Sequence, residues 1–333
     1  MTESYDDLPL FSYRPTPEEA EAEASAFVRP DVSLSAAISA WAEALEASGR
    51  SINTVKAFTG DLRLLGKFVG AGTAIVSLGT HDLKNFLDWM LNQRGVPCSP
   101  KTYARRITSL KAFFRWLVET GVLVENPASP IPQQTVLSPL PTVLTPEEVD
   151  AVLDAANKLR RGDRPDARPY TLVALILHTA IKKGECLRIH LNHIDLNAVE
   201  GPILFIRYGE VSKRYKERKL PLPQSWVEAY QEYLASYEPG ERLFPWSPRR
   251  LEYLLEAIGE SAGLEKHLSF DMCRWTSALI DYNAGVEKDK IRQKLGISKI
   301  QYREVGNKLQ KLAESEGWST KAEELEEQQP SSE

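Results

Sequence analysis

The chain has 333 residues, 42% hydrophobic and 26% charged, enough for two domains that each bury a core and too apolar for a disordered chain. It has no apolar run of about eighteen residues, and its start, MTESYDDLPL, lacks the basic-then-apolar order of a signal peptide. Cys98, Cys186 and Cys273 are too scattered for a disulfide framework, so a cytoplasmic protein with no membrane partner is expected.

The formal net charge of −5 is unevenly spread: residues 1–34 and residues 312–333 each carry −6, which leaves +7 on residues 35–311. A basic body between two acidic ends favours a polyanion partner, and the acidic ends can compete for the same surface. The boundaries read as an acidic tail (1–32), a helical domain (33–125), a Pro-rich linker (126–144), a second domain (145–313) and a second acidic tail (314–333).

Residues 35–121 read as four helices. Ile38, Trp41 and Leu45 mark the first; Val55, Phe58, Leu62, Leu65 and Val69 mark the second, at spacings of three and four that share one face. Ser51 and Asn53-Thr54 offer N-cap chemistry before it. A third helix starts near Thr80–Asp82 and ends at Gly95, and a fourth runs from about Ser99 to Gly121. On the fourth, Ile107, Leu110, Phe113, Phe114 and Leu117 share one arc, while Lys101, Arg105, Lys111 and Arg115 share the opposite one with no acid among them. Solvated helix faces usually mix both signs, so a stripe of one sign points to phosphate contacts.

The stretch 126–144 holds five prolines and no charge, and reads as an extended linker. Thr145-Pro146-Glu147-Glu148 is a capping box with proline at its first turn and opens the second domain. An apolar helix, TLVALILHTAIKKGECLRI, follows. Residues 203–222 read as two strands joined by a turn carrying Lys213, Arg214, Lys216 and Arg218, and helices resume to about Ala313. Cys186, His190 and His193 have a faintly metal-like spacing but fall at a helix end and its exit without a fourth ligand, so no metal is expected. Lys182-Lys183-Gly184 does not continue a Gly-rich phosphate loop, so no nucleotide cofactor is expected either.

Three separated motifs carry a resemblance. HTAIKKGECLRIHLNHIDL is similar to a T-G-x-R-x-x-E helix and the strand after it, and SKRYKERKLPL to a K-G-x-K-E-R-x-x-P-L hairpin. DMCRWTSALIDYNAG followed by KLGIS resembles H-x-x-R-H-x-x-A…G…LGH, with Gly285 eleven residues after Arg274 and Gly296 eleven after Gly285. Over residues 33–313 the chain thus resembles the tyrosine recombinases, the phage-integrase and Xer-like family. The resemblance implies a mainly helical fold with a small β-sheet, built from a SAM-like N-terminal core-binding domain and a mixed α/β catalytic-type domain that together clamp double-stranded DNA. In that family a tyrosine attacks a phosphodiester without a metal, two arginines hold the phosphate oxygens, a hairpin lysine protonates the leaving oxygen, and two histidine-type residues assist.

The chain departs from that pattern at most of these positions. The first arginine is Lys182, which keeps the charge but not the planar fork. Lys213 and Arg274 are retained. The histidine positions hold Asp271 and Ile297, Trp275 follows Arg274, and the nucleophile position, ten residues beyond Gly296, is Gly306. The resemblance therefore implies a degenerate member whose remnant phosphate cradle is Lys182, Lys213 and Arg274, with Lys101, Arg105, Lys111, Arg115, Lys216 and Arg218 on DNA. Two alternatives stay open: an active recombinase using Tyr302, one helical turn before Gly306, and an architectural or assembly protein. The partners implied are duplex DNA and either a second copy of the chain or an active recombinase.

Overall fold

The computed structural model describes residue 29, residues 31–133 and 139–315, and Trp318. The acidic ends lie almost entirely outside these residues. The chain divides into two compact units, Met1–Ser138 and Pro139–Glu333.

The first unit contains four α-helices among its described residues: α1 (Leu34–Ala47), α2 (Ile52–Val69), α3 (Thr80–Asn92) and α4 (Pro100–Glu119). Three have a serine cap, with Ser33, Ser51 and Ser99 each accepting the N–H three residues on. The predicted stripes converge on one core, in which Trp41, Leu62, Leu65, Phe113 and Phe114 are almost fully buried. The third and fourth helices stop two or three residues before the glycines expected to end them. Gly95 and Gly121 lie beyond, at φ 71° and 74°, where the chain turns out of the helix.

The proline-rich stretch is not extended throughout. Residues 127–130 form a turn. Thr80 donates to the Pro127 carbonyl at 2.8 Å, and Ala128 and Ile131 are buried in the first core. Leu144 is buried in the second. Small apolar residues between the prolines let both ends of the stretch pack, and residues 134–138 lie outside the described ones.

The second unit begins with α5 (Pro146–Arg161), opened by the predicted box: the Thr145 N–H donates to Glu148 Oε2 at 2.7 Å, and the Glu148 N–H donates back to Thr145 Oγ1. Next comes α6 (Arg168–Thr179), buried from Thr171 to Leu177. The single apolar helix expected over 171–189 is broken. Ala180 adopts φ 50°, ψ 28°, the left-handed conformation, and the short α7 (Lys183–Cys186) starts in a new direction. The antiparallel sheet has order β1 (Ile194–Asp195), β2 (Ile203–Ile206), β3 (Arg218–Pro221). Its register pairs Leu204 with Leu220 and Phe205 with Lys219. Leu204, Ile206 and Leu220 face the core, so Phe205 and Lys219 face outward. The predicted turn between strands folds as a 3₁₀ segment, Val211–Lys216.

Five helices complete the unit: α8 (Gln224–Tyr237), α9 (Pro248–Ser261), α10 (Phe270–Asn283), α11 (Lys288–Leu295) and α12 (Lys299–Ala313). A separate apolar cluster joins α10, α11 and α12 through Leu279, Ile291, Leu295, Leu309 and Leu312. Trp318 closes it and donates from Nε1 to the Leu144 carbonyl at 3.1 Å, tying the end of the unit to its beginning. Among the described residues the fold is mainly helical with one small sheet, as expected, and no helix is long and apolar enough to cross a membrane.

Candidate phosphate-binding site

The left-handed residue at 180 turns the chain so that Lys182 caps α7 beside the end of α11. L-residues pay about 1–2 kcal/mol in this conformation, and the T-G-x-R-x-x-E pattern places a glycine there. The Lys182 N–H donates to Glu185 Oε2 at 2.9 Å. Glu185, its side chain 1% exposed, accepts Nη1 and Nη2 of Arg218 at 3.0 and 2.9 Å, a buried bidentate pair. Burial alone raises this carboxyl, but hydrogen bonds and charge from Arg218, with help from the Lys182 N–H and the Tyr208 hydroxyl, outweigh it and hold the group down at about 2.

Three cations then meet three consecutive carbonyls at the C-terminus of α11. Arg218 Nε donates to Lys294 O at 2.9 Å, Arg274 Nη2 to Leu295 O at 2.7 Å, and Lys182 Nζ to Gly296 O at 2.9 Å. Arg274 Nε also donates to Ala180 O at 2.9 Å. A helix C-terminus leaves its last carbonyls unpaired and carries partial negative charge, so it holds cations as an anion would. Gly296 is required there. Its φ is 58°, and a Cβ would lie 2.6 Å from Arg218 Nη1.

Burial depresses Lys182 to about 8; neighbouring Arg274, Arg218 and Lys216 also lower it, against the raising effect of Glu185. Burial likewise lowers Arg274.

The surroundings of Arg274 are apolar. A cavity of about 80 Å³ beside it is lined by Trp275, Leu295, Ile297 and Val305, none of which offers an acid or base. Asp271 is exposed in the first turn of α10, where the helix N-terminus favours an anion. Gly306 lies within α12, and Tyr302 Cε1 sits 3.5 Å from where a Cβ at 306 would be. The Tyr302 hydroxyl is buried and has no hydrogen-bond partner among the described residues, and burial raises its pKa. Removing a buried, unsatisfied hydroxyl relieves a desolvation cost, so Tyr302→Phe leaves stability unchanged or raises it by about 1 kcal/mol in urea unfolding. A loss of more than that amount would show that the hydroxyl has a partner.

The other predicted residues are spread more widely. Lys213 lies in the 3₁₀ segment and pairs with Glu210 at 2.6 Å. Lys216 is half-buried, with its ammonium 5.2 Å from the Tyr215 ring centroid. Arg218, expected on DNA, is instead a buried structural partner of Glu185. In the first unit Lys101 and Arg115 are exposed on α4, and Lys111 reaches Ser129 O at 3.5 Å. Arg105 is not the free cation expected: it pairs with Asp61 of α2, which also accepts Ser109 Oγ at 2.8 Å and faces Arg106 Nε at 3.4 Å. The cationic stripe of α4 has no acid of its own, but its neighbour supplies one. Asp61 carried a signal that sequence reading passed over, since it is the one acid on the stripe formed by Phe58, Leu62 and Leu65. Glu185 had a signal too, as the glutamate of its motif. Cys186 is buried, the His190 and His193 rings lie 5.3 Å apart, and no group of three metal-ligating side chains occurs among the described residues.

Comparison with known proteins agrees with the motifs. The phage integrase family matches residues 142–305, and the phage integrase N-terminal SAM-like domain matches residues 38–121. The chain belongs to this family, the tyrosine recombinases. It is 28% identical over 232 residues to the tyrosine recombinase XerC of Mycobacterium sp. (strain JLS), covering 65% of this chain and 74% of the relative. XerC of Mycobacterium tuberculosis (strain CDC 1551 / Oshkosh) is 28% identical over 188 residues, 56% of this chain and 60% of the relative. The fold is similar to that of XerH site-specific recombinase bound to a palindromic difH substrate (TM-score 0.65, 18% identity, 92% of this chain and 97% of that one). It is also similar to that of a lambda integrase dimer bound to a COC′ core site (TM-score 0.65, 14% identity, 88% and 81%).

Proposed function

We propose that this tyrosine recombinase homologue binds duplex DNA and has lost strand cleavage, so that any recombination it takes part in is carried out by an active partner recombinase. The observation that carries the reading is the surroundings of Arg274. Of the remnant cations, Lys182 and Arg274 are parked on the carbonyls of Gly296 and Leu295 and Lys213 is paired with Glu210, while the positions beside Arg274 and the nucleophile position hold Trp275, Ile297 and Gly306. Without a nucleophile the covalent route is closed, and loss of even one transition-state contact typically costs about 10²–10³ in rate. Positive charge survives, and charge is what backbone binding needs. A DNA phosphate entering the site takes the place of the helix carbonyls as acceptor for Lys182 and Arg274. The similar recombinases bound to DNA, one of them a dimer, support a DNA partner and assembly with a second recombinase protomer.

The test is covalent capture. The purified chain is incubated with a nicked suicide duplex and run on a denaturing gel, where the expected result is DNA binding before denaturation and no retained adduct. An adduct abolished by Tyr302→Phe would establish an active enzyme instead.

The proton on Lys182 gives a second check. Its folded pKa of about 8 lies below the usual lysine value, so phosphate binding weakens as pH rises through that value. The unfolded chain holds that proton up to a higher pH, so the fold gains stability over the same window and the weakening is not unfolding. Affinity for a duplex is expected to fall about tenfold between pH 7 and 9.5, a charge-assisted contact being worth roughly 1.5–3 kcal/mol. Lys182→Arg should be flat over that range, because arginine keeps its proton. Equal pH profiles for the two proteins would remove Lys182 from the interface.

A further inference from the structure

The outward face of the sheet holds a second concentration of positive charge. Strand alternation sends Phe205 and Lys219 away from the core, and Arg207 follows β2 on the same side. A cleft of about 940 Å³ opens over this face, rimmed by Arg188 just after α7, Arg214 in the 3₁₀ segment, and Arg242, whose backbone bridges to His190. These five cations are all exposed, and none has a carboxylate within ion-pair distance among the described residues. The one acid on the lining, Glu217, is exposed and accepts the Tyr208 N–H at 2.7 Å, so the five cations outnumber it. A solvated face ordinarily mixes signs, and unbalanced charge at this density repels itself, so a polyanion fits it better than water alone.

The chemistry of the face selects phosphates over bases. The Phe205 ring already lies under Arg207 and Lys219, at 5.4 and 5.5 Å from its centroid, and the Tyr208 ring under Arg188 at 5.5 Å, so neither is a bare platform for an unstacked base. On the other side of edge strand β3 lies a second cleft of about 620 Å³, which shares Glu217, Arg218 and Lys219 with the first; its Lys290, Arg292 and Lys294 are paired with Glu287, Asp289 and Asp281, so the free charge is concentrated on the outer face.

We infer that this outer face is a contact surface for the phosphate backbone of duplex DNA, lying beyond the remnant centre. The inference rests on the DNA-binding reading and adds to it a place and a set of residues: Arg188, Arg207, Arg214, Lys219 and Arg242. Each neutralised phosphate contributes about 0.9 to the slope of log affinity against log salt.

The experiment compares the full chain with an Arg188→Gln/Arg207→Gln/Arg242→Gln variant on a 40-base-pair duplex, across salt. The expected result is a slope smaller by about 3 and affinity at least tenfold weaker at about 0.1 M salt. A triple lysine variant should keep the wild-type slope, which separates charge from fold. A steep wild-type slope that the glutamine variant leaves unchanged overturns the inference and spares the DNA-binding reading. A flat wild-type slope overturns both. Tighter binding by the glutamine variant means that an acidic segment occupies the face, and that too overturns the inference. Should the glutamine variant fail to fold, single Arg207→Gln and Arg242→Gln variants are each expected to lower the slope by about 1, and unchanged slopes would reject the surface.

Discussion

Glu185→Ala destabilises the second unit by about 3–5 kcal/mol, the cost of leaving a buried charge without its partner. Arg218 is 7% exposed and cannot turn to water, since its Nε is fixed on Lys294 O and its guanidinium lies against Gly296. Glu185 also receives the Lys182 N–H and the Tyr208 hydroxyl, so one truncation takes the acceptor from four donors, of which Arg218 Nη1 keeps Lys216 O. Because the folded carboxyl sits at about 2, below its unfolded value, its contribution is complete above about pH 5 and disappears as pH falls through 2. Urea unfolding at pH 7 measures the loss, and the wild-type and Glu185→Ala proteins should converge in stability as the medium is acidified. A difference below about 1 kcal/mol at pH 7 would show that the pair stands in water and is not the structural hub of the site. The same contacts explain how a site that has lost its reactive groups keeps its shape. Glu185, Arg218 and Gly296 hold the end of α11 against α7 whether or not chemistry follows.

Helical stripes were legible because they repeat with the period of the structure: Ile107, Leu110, Phe113, Phe114 and Leu117 are all buried. The caps at Ser51 and Thr145 were legible from residue type alone, just ahead of an apolar stripe. The left-handed break at Ala180 was not, since alanine is the strongest helix former and nothing local marks it as a turn. The three carbonyls that hold Arg218, Arg274 and Lys182 were invisible for a different reason. They are backbone atoms, which no side-chain type announces, and only the glycine at 296 left a mark in the sequence. What betrayed the site was the order and spacing of three distant motifs, which recorded where side chains must converge but not what they would touch. Arg105 shows the limit of judging a helix face alone, because the acid that pairs with it lies on a neighbouring helix.

Binding of the intact chain to a 40-base-pair duplex weakens by about 10³–10⁵-fold between 50 and 200 mM salt, the range for six to ten neutralised phosphates. A net charge of −5 predicts the opposite, a protein repelled by DNA, and the disagreement turns on where the charge sits. At these salt concentrations fields decay within about 7–14 Å, so DNA responds to the cations it touches and not to the sum over the chain. Lys101, Lys111 and Arg115 in the first unit, Lys182 and Lys216 beside α11, and the arginines around the sheet supply enough cations for the steep case. The acidic ends decide whether they are available. If residues 1–34 or 312–333 lie on the basic surfaces, DNA displaces carboxylates along with small ions, and the measured slope becomes shallow. Cutting the chain after Trp318, which keeps its contact with Leu144, removes five glutamates and should then steepen the slope and tighten binding together. Affinity that changes less than twofold over this salt range in both the full and the shortened chain would mean that the cations never meet phosphate, and the protein would be an assembly factor built on a recombinase fold.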